Sequence, residues 1–376
     1  MSTPFRSKHL LNLLCAYDSE QAPLDLSLKR YFKLHRNLGS HDRHWIGETL
    51  YGMVRWQGLL ATLAPRSWEL RLNLWNSTPL ATLQQDRSLP AWDRLGLPQW
   101  LYEKLLAAYG AERTETLAHW LASPAPITLR ANGLKTTRDA LLARLCDRFD
   151  VSPLPSPYAI RVAKREPLFA TPEFKEGLFE VQDEGSQTIA ALVQAKPGDQ
   201  GIDYCAGSGG KSLALAVDMQ GRGQLYLHDI RPSILHSARH RLCRAGVQNA
   251  QFLHSDHPKW AQLRGKADWI LLDVPCTGTG SLRRNPDMKW KLDQPMLERL
   301  LREQRTIIAS VLPLLKPGGR LIYATCSLLP EENEQQVAHI LATTPLTLMA
   351  PPLSTLGSGD MDALFGAVFQ FNTVSP

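Results

Sequence analysis

The sequence predicts an α/β fold, an open parallel sheet with helices on both faces, behind a small α+β segment and a helical N-terminal region. Three observations predict it. From about residue 180 onward, short apolar runs alternate with stretches of helical periodicity. The first of those runs leads into a glycine-rich turn that opens a helix. Residues 1 to about 120 show helical spacing alone. At 376 residues the chain exceeds one compact core and suggests two or three domains.

In order, residues 25–36, 42–63 and 98–110 place apolar side chains at helical spacing, punctuated by Gly39-Ser40 and Leu97-Pro98. Basic and aromatic residues alternate here, among them Lys29, Arg30, Tyr31, Lys33, Arg43, Trp45, Arg55 and Trp56. Taken alone, this segment reads as aromatic core with solvated charges on its outer faces. A nucleic-acid-binding helical module is the sharper alternative. Residues 123–134 then read as a strand, 136–149 as a helix with a threonine cap, and 158–165 as another strand, with the proline-rich 153–157 as a loop. Beyond them come strands within 201–204, 223–230, 249–256, 267–275 and 318–327, with helices starting near 210, 234, 296 and 331. The expected domains are 1–120, helical; 121–178, small α+β; and 179–376, the α/β domain.

Composition excludes several classes. Hydrophobic residues make up 44% and charged residues 21%, as in a soluble globular protein. No apolar run approaches the roughly 18 residues of a membrane span. The first twenty residues lack the pattern of a secretory signal, so a cytoplasmic protein is expected. The net charge of +6 permits a polyanionic partner without requiring one. The six cysteines contain no C-x-x-C pair, and neither a disulfide framework nor a metal is expected. His236, His240 and Cys243 share a helical spacing, but arginines run between them, so a solvated basic helix is the reading.

The glycine turn holds Gly207, Gly209 and Gly210. Its spacing matches neither a P-loop nor G-x-G-x-x-G, which disfavours phosphate-cradling and dinucleotide sites. Successive strands end on Asp229, Asp256 and Asp273, and the carboxyl edge of such a sheet is where ligands bind. A ligand with a ribose and a positive charge but no pyrophosphate fits best, and S-adenosylmethionine is one. Cys276 and Cys326 each follow a strand of this sheet and could face one pocket. The plain alternative is two small buried hydrophobes. Chemistry offers a reason for thiols there. Carbon 5 of cytosine is a poor nucleophile until a thiolate adds to carbon 6, after which it can take a methyl group from a sulfonium. A nearby acid can stabilise the adduct and a second thiol can assist release.

The stretches DYCAGSGGKS, DVPCTGTGSLRRNPDMKW, LKPGGRLIYATCSLLPEENE and VQDEGSQ together resemble the RNA (cytosine-5) methyltransferases of the RsmB/NOP2/Sun type, from about residue 125 to 345. The resemblance implies a class I Rossmann-like catalytic domain that uses S-adenosylmethionine. It implies Cys326 as nucleophile and Cys276 as the promoter of product release. Cys205, Ala206, Gly207, Ser208, Gly209, Gly210 and Lys211 would hold the cofactor. Asp229 would take the ribose, Asp256 would lie near the adenine, and Asp273 near the methionine or target base. It also implies a small RNA-binding subdomain around Leu129–Asn132 and a NusB-like reading of residues 1–120. The expected partner is RNA, ribosomal before transfer, and a monomer is expected.

Two departures stand out. The family's C-A-A-P-G-G-K reads Cys205-Ala206-Gly207-Ser208-Gly209-Gly210-Lys211 here, without the proline. The closing hairpin matches only loosely, through Asp362-Ala363-Leu364-Phe365. Other readings are the same chemistry on transfer RNA, a DNA cytosine-5 methyltransferase, an amino-group methyltransferase, and a catalytically silent RNA-binding protein. A DNA-type enzyme would leave Cys326 idle. An amino-group enzyme would carry [DN]-P-P-[YF] where Asp273-Val274-Pro275-Cys276 stands. Loss of the nucleophile would mark the silent protein. Arg130, Lys135, Arg283, Arg284 and Lys289 read equally as RNA-backbone contacts or solvated charges.

Overall fold

The computed structural model describes residues 4–19, 22–357 and 360–372. Ser358 and Gly359, just ahead of the Asp362–Phe365 stretch of the closing hairpin, lie outside the described residues. The chain divides into two compact units.

One unit comprises residues 1–124 together with 281–296. It is helical, and its core holds Leu10, Leu14, Ile46, Leu50, Met53 and Leu59, all fully buried. Trp56 is buried within it, and Tyr31 and Trp45 pack against it, as the core reading of these aromatics anticipated. The stretch 42–63, read as one helix, breaks at Trp56 into Ser40–Arg55 and Gln57–Leu63.

Residues 281–296 come from far along the chain, yet they belong to this unit through specific bonds. Trp290 Nε1 donates to the Val54 carbonyl at 2.7 Å, and Asp287 accepts from the Leu24 amide at 3.3 Å. Arg283 is buried, stacks over Trp120 and donates to Pro124 O at 2.7 Å. Lys289 is buried and donates to the Gly96 carbonyl. Both readings offered for Arg283 and Lys289 are therefore corrected. They are neither solvated nor free for RNA, because the helical unit encloses them.

Burial, with the nearby Arg55 charge, lowers the Lys289 pKa from 10.5 to about 7. The unfolded chain then binds more protons than the folded one between about pH 7 and 10, so this lysine's contribution to stability grows as pH rises and is lost as pH falls toward 7. Lys289→Met should flatten that slope. Urea denaturation at pH 7.5 and 9.5 should show the variant gaining about 2 kcal/mol less than the wild type over the interval. Parallel behaviour would contradict a buried, titrating lysine.

The second unit comprises residues 125–280 and 297–376. Its first part is a four-stranded antiparallel sheet built from β1 (Ile127–Ala131), β2 (Val151–Pro153), β3 (Ala159–Val162) and β4 (Phe179–Val181), in the order β2-β3-β1-β4. β2 occupies part of the stretch read as a loop. Thr137 caps the Arg138–Leu145 helix by accepting from the Ala140 amide at 3.2 Å. Leu129, Leu141, Leu145, Ile160 and Phe179 close the core between helix and sheet. Arg130 is buried rather than solvated. Its guanidinium donates to Gln182 Oε1 at 2.6 Å and Leu213 O at 3.2 Å. Lys135 is exposed, but its Nζ bonds the carbonyls of Glu176 and Arg244, both at 2.7 Å.

The larger sheet contains β5 (Gln200–Asp203), β6 (Gln224–Leu227), β7 (Ala250–Phe252), β8 (Ala267–Asp273), β9 (Leu315–Thr325), β10 (Leu346–Leu348), β11 (Leu353–Ser354) and β12 (Phe365–Phe371). The order is β10-β12-β9-β8-β5-β6-β7, with β11 pairing β12. β5 to β9 run parallel, and β12 is antiparallel to β9. Strand order reverses at β5, which opens a crevice at the carboxyl ends of β5, β6 and β8. Gly201 in β5 has a packing reason. A Cβ there would stand 1.9 Å from the ring of Trp269, whose fully buried indole fills that space. Gly280 has a similar one. A Cβ would meet the Ala363 carbonyl at 1.9 Å, where the Gly280 amide bonds Cys326 O at 2.8 Å and its carbonyl accepts from the Ala363 amide at 3.1 Å. Gly280→Ala should cost about 2–3 kcal/mol, because backbone rather than a flexible side chain must move. A melting temperature within a degree of wild type would contradict this.

Candidate active site

Adjacent parallel strands bring the two thiols together. Asp273 of β8 stands beside Ala324 of β9 in register, and the Val274 amide bonds the Ala324 carbonyl at 3.0 Å. Each chain then turns away from the sheet, and Cys276 Sγ lies 3.4 Å from Cys326 Sγ. The Cys326 amide also points at Cys276 Sγ, at 3.4 Å.

Both turns are held from beneath by one buried carboxylate. Glu332 is fully buried and accepts from the Thr277 amide at 3.0 Å, Thr277 Oγ1 at 2.5 Å and Gln304 Nε2 at 3.0 Å. Gln304 also donates to Pro275 O at 3.0 Å. Thr279, Ser327, Thr325 and Asn333 extend the network under Cys326. Burial raises the Glu332 pKa, against the hydrogen bonds it accepts from Ser327, Thr277 and Gln304. The Cys276 pKa lies well above the usual thiol range, raised first by its hydrogen bond with Cys326 and next by burial. That direction favours the neutral thiol at Cys276.

A cavity of about 810 Å³ opens beside them, lined by Tyr204, Cys205, His228, Asp229, Asp273 and Cys276, with the Gln294–Val311 helix closing one side through Glu303 and Ile307. Its walls carry the acids Asp229, Asp273 and Glu303. The glycine turn lies at one edge, where Gly207 has a φ of 53° and a Cβ on it would meet nothing within 4 Å. Gly209, at φ 78°, is the N-cap of the Gly210–Asp218 helix. Lys211 projects from that helix and donates to Asp273 Oδ2 at 2.5 Å. Burial alone would lower the Lys211 pKa. The Asp273 charge and hydrogen bond, helped by Cys326 and Asp203, outweigh it and raise the value.

Asp229 accepts from the Gly207 amide at 3.0 Å and from the Arg231 amide and guanidinium, the latter at 2.9 and 3.1 Å. Burial opposes ionisation there, but the Arg231 hydrogen bonds prevail and hold Asp229 below the usual carboxylate range. Burial pushes the Cys205 thiol well up, and the surrounding carboxylates add to it.

Asp256 is not brought to the cavity. β7 ends at Phe252, and the chain then places Ser255 on the wall while Asp256 is exposed. Four acids escaped the sequence reading or were left without a role: Asp203, Glu303, Glu332 and Glu180. Asp203 ends β5 in the same manner as Asp229 and Asp273 follow theirs, so the strand-end pattern contained it. It is buried, accepts from Ser212 Oγ at 2.6 Å, and burial raises its pKa from 3.8 to about 7. His228 was also missed. It bonds Tyr204 O at 2.7 Å and Ser255 Oγ at 3.0 Å, and stacks on the Tyr204 ring.

The model for "16S rRNA methyltransferase RsmB/F" matches residues 190–356, and the ferredoxin-like domain model of the same group matches 97–168. Over these two stretches the chain matches the RsmB/F methyltransferase family. The ribosomal RNA small subunit methyltransferase B of Klebsiella pneumoniae is 36% identical over 66% of this chain and 58% of its own length. The chain thus spans a little over half the length of the curated relatives it matches. A solved methyltransferase homolog from Pyrococcus horikoshii is 28% identical, with a TM-score of 0.65 over 74% of this chain and 97% of that one. The crystal structure of PH0851 shares the fold at 21% identity, with a TM-score of 0.83 over 98% of this chain and 99% of that one.

The residues present fit the S-adenosylmethionine that the sequence motifs imply. The cavity has room for it, its acidic wall suits a cationic ligand, and the glycine backbone allows close approach. Asp229 can accept hydroxyl hydrogen bonds, and the amides at the start of the Gly210–Asp218 helix can receive a carboxylate.

Proposed function

We propose that this chain methylates carbon 5 of a cytosine in RNA, ribosomal RNA before transfer RNA, through a covalent bond between a cysteine and carbon 6. The observation that carries the reading is the pair of thiols 3.4 Å apart, of which Cys276 lines an acid-walled cavity. An amino-group methyltransferase has no use for two apposed thiols, and a DNA-type enzyme needs only one.

Cys326 is the nucleophile. Lys211, held on Asp273 at the same edge of the sheet, is the cation assigned to stabilise its thiolate. Cys276, a protonated thiol beside it, assists release of the product. Asp273, fixed by Lys211, orients the base or the cofactor. Cys205 to Lys211 and Asp229 hold S-adenosylmethionine, which supplies the methyl group. The target base must leave its stack to reach the thiols, which costs a few kcal/mol and least in a loop or single strand. Residues 121–178 and the helical region 1–120 are the RNA-binding parts in this reading. The protein acts as a cytoplasmic monomer. No helix among the described residues is long and apolar enough to cross a membrane.

The test supplies tritiated-methyl S-adenosylmethionine with naked 16S ribosomal RNA, small ribosomal subunits or bulk transfer RNA, followed by nucleoside analysis. Label in 5-methylcytidine from ribosomal RNA is expected. Label in transfer RNA alone would move the substrate, and label on an exocyclic amine would overturn the chemistry.

A further inference from the structure

The cofactor turn departs from the family pattern at Gly207-Ser208, where Ala-Pro is usual, and the structure supplies what the missing proline would have provided. Proline restricts its own backbone and that of the residue before it. Here Gly207 takes a left-handed φ of 53° and Ser208 has no ring. Instead, the Arg241 guanidinium donates to both Ser208 O, at 2.9 Å, and Ser208 Oγ, at 2.6 Å. Arg241 is itself fixed. Its Nε and Nη2 donate to Glu180 Oε2 at 3.2 and 3.0 Å, and Arg244 bonds the other oxygen of the same carboxylate. The Glu180 side chain is only 5% exposed. Two residues along, Gln182 accepts from Arg130 and donates to the Gly210 carbonyl at 3.1 Å. Residues 180 and 182, in and just after β4 of the small sheet, are therefore both tied to the cofactor turn, Glu180 through Arg241 and Gln182 directly.

We infer that Arg241, braced by Glu180, is a positioning residue that holds the Gly207-Ser208 turn in its cofactor-binding shape. Planar, bidentate guanidinium bonding suits this task, because it fixes direction as well as distance. The clamp also ties the small sheet to the cofactor site through β4. The inference rests on the cavity being the S-adenosylmethionine site, and the experiment separates the two.

Calorimetric titration with S-adenosylmethionine, without RNA, reads binding alone. Arg241→Gln should weaken binding about tenfold, and Ser208→Ala about two- to threefold, since one of its two bonds remains. The decisive arm places the family pair back. Gly207→Ala and Ser208→Pro are changed together, because alanine at a left-handed φ would be strained unless proline resets the turn. In that background Arg241→Gln should change affinity less than twofold, a coupling that a general loss of folding would not produce. Far-ultraviolet circular dichroism and melting temperature check each variant. If Arg241→Gln binds as the wild type does, or loses the same factor in both backgrounds, the clamp is overturned. If the wild type itself binds no S-adenosylmethionine, the site assignment fails first and takes the clamp with it.

Discussion

Cys276→Ala protein mixed with substrate RNA and S-adenosylmethionine should accumulate a covalent protein–RNA species that migrates slowly on a denaturing gel. The Cys276/Cys326 double variant should form none. The bond made is between Cys326 Sγ and carbon 6 of the base. Completion requires that the carbon–sulfur bond break as the carbon 5 proton passes to a base: Cys276 Sγ can take that proton while its own moves to the departing Cys326 sulfur, which leaves both thiols neutral. Cys276 is placed to assist, its thiol favoured in the neutral form and 3.4 Å away. Without it the adduct outlives the assay. Cys326→Ala should lower methyl transfer by at least about a thousandfold, as expected for a group that forms the covalent intermediate. Because the thiols are so close, both can approach the same carbon, and the trapping variant decides their order. An adduct trapped by Cys326→Ala and absent from Cys276→Ala would exchange the roles and return the DNA-type mechanism.

Glu332→Ala should be the most damaging substitution outside the thiols. Its carboxylate accepts from the Thr277 amide and hydroxyl, next to Cys276, and from Gln304 and Ser327, all of them buried. Alanine strands those donors and leaves a cavity, at about 3–5 kcal/mol. The Cys276 turn would loosen, so methyl transfer should fall as well. Glu332→Gln keeps one acceptor oxygen but turns an amide toward donors, and an intermediate loss is expected. Equilibrium unfolding in urea measures both. If Glu332→Ala unfolds at the wild-type midpoint, the network does not support the two turns as described.

Much of the α/β domain was legible because its signals are local. Alternating apolar runs and helical periods locate β5, β6, β8, β9 and their helices. A carboxylate or thiol just past an apolar strand identifies Asp229, Asp273, Cys276 and Cys326 as residues at the ligand-binding edge. β7 was read too long. The strand ends at Phe252, the last apolar residue is the buried Leu253, and a strand drawn on through His254 and Ser255 to residue 256 put Asp256 on the cavity wall.

What the sequence determined by itself was the order of elements, the strand ends and the chemistry of the groups placed there, since each follows from periodicity and residue type over a few neighbours. Only the tertiary structure decided which of those groups meet. Strand register sets Cys276 against Cys326, and no local pattern reports register between strands some fifty residues apart. Burial turned Arg130, Arg283 and Lys289 from surface charges into enclosed ones, because a cation's surroundings depend on elements remote in the chain. Arg241, braced by Glu180, reaches the cofactor turn for the same reason. A hydrogen bond fixes its partners in space, and sequence distance carries no record of it.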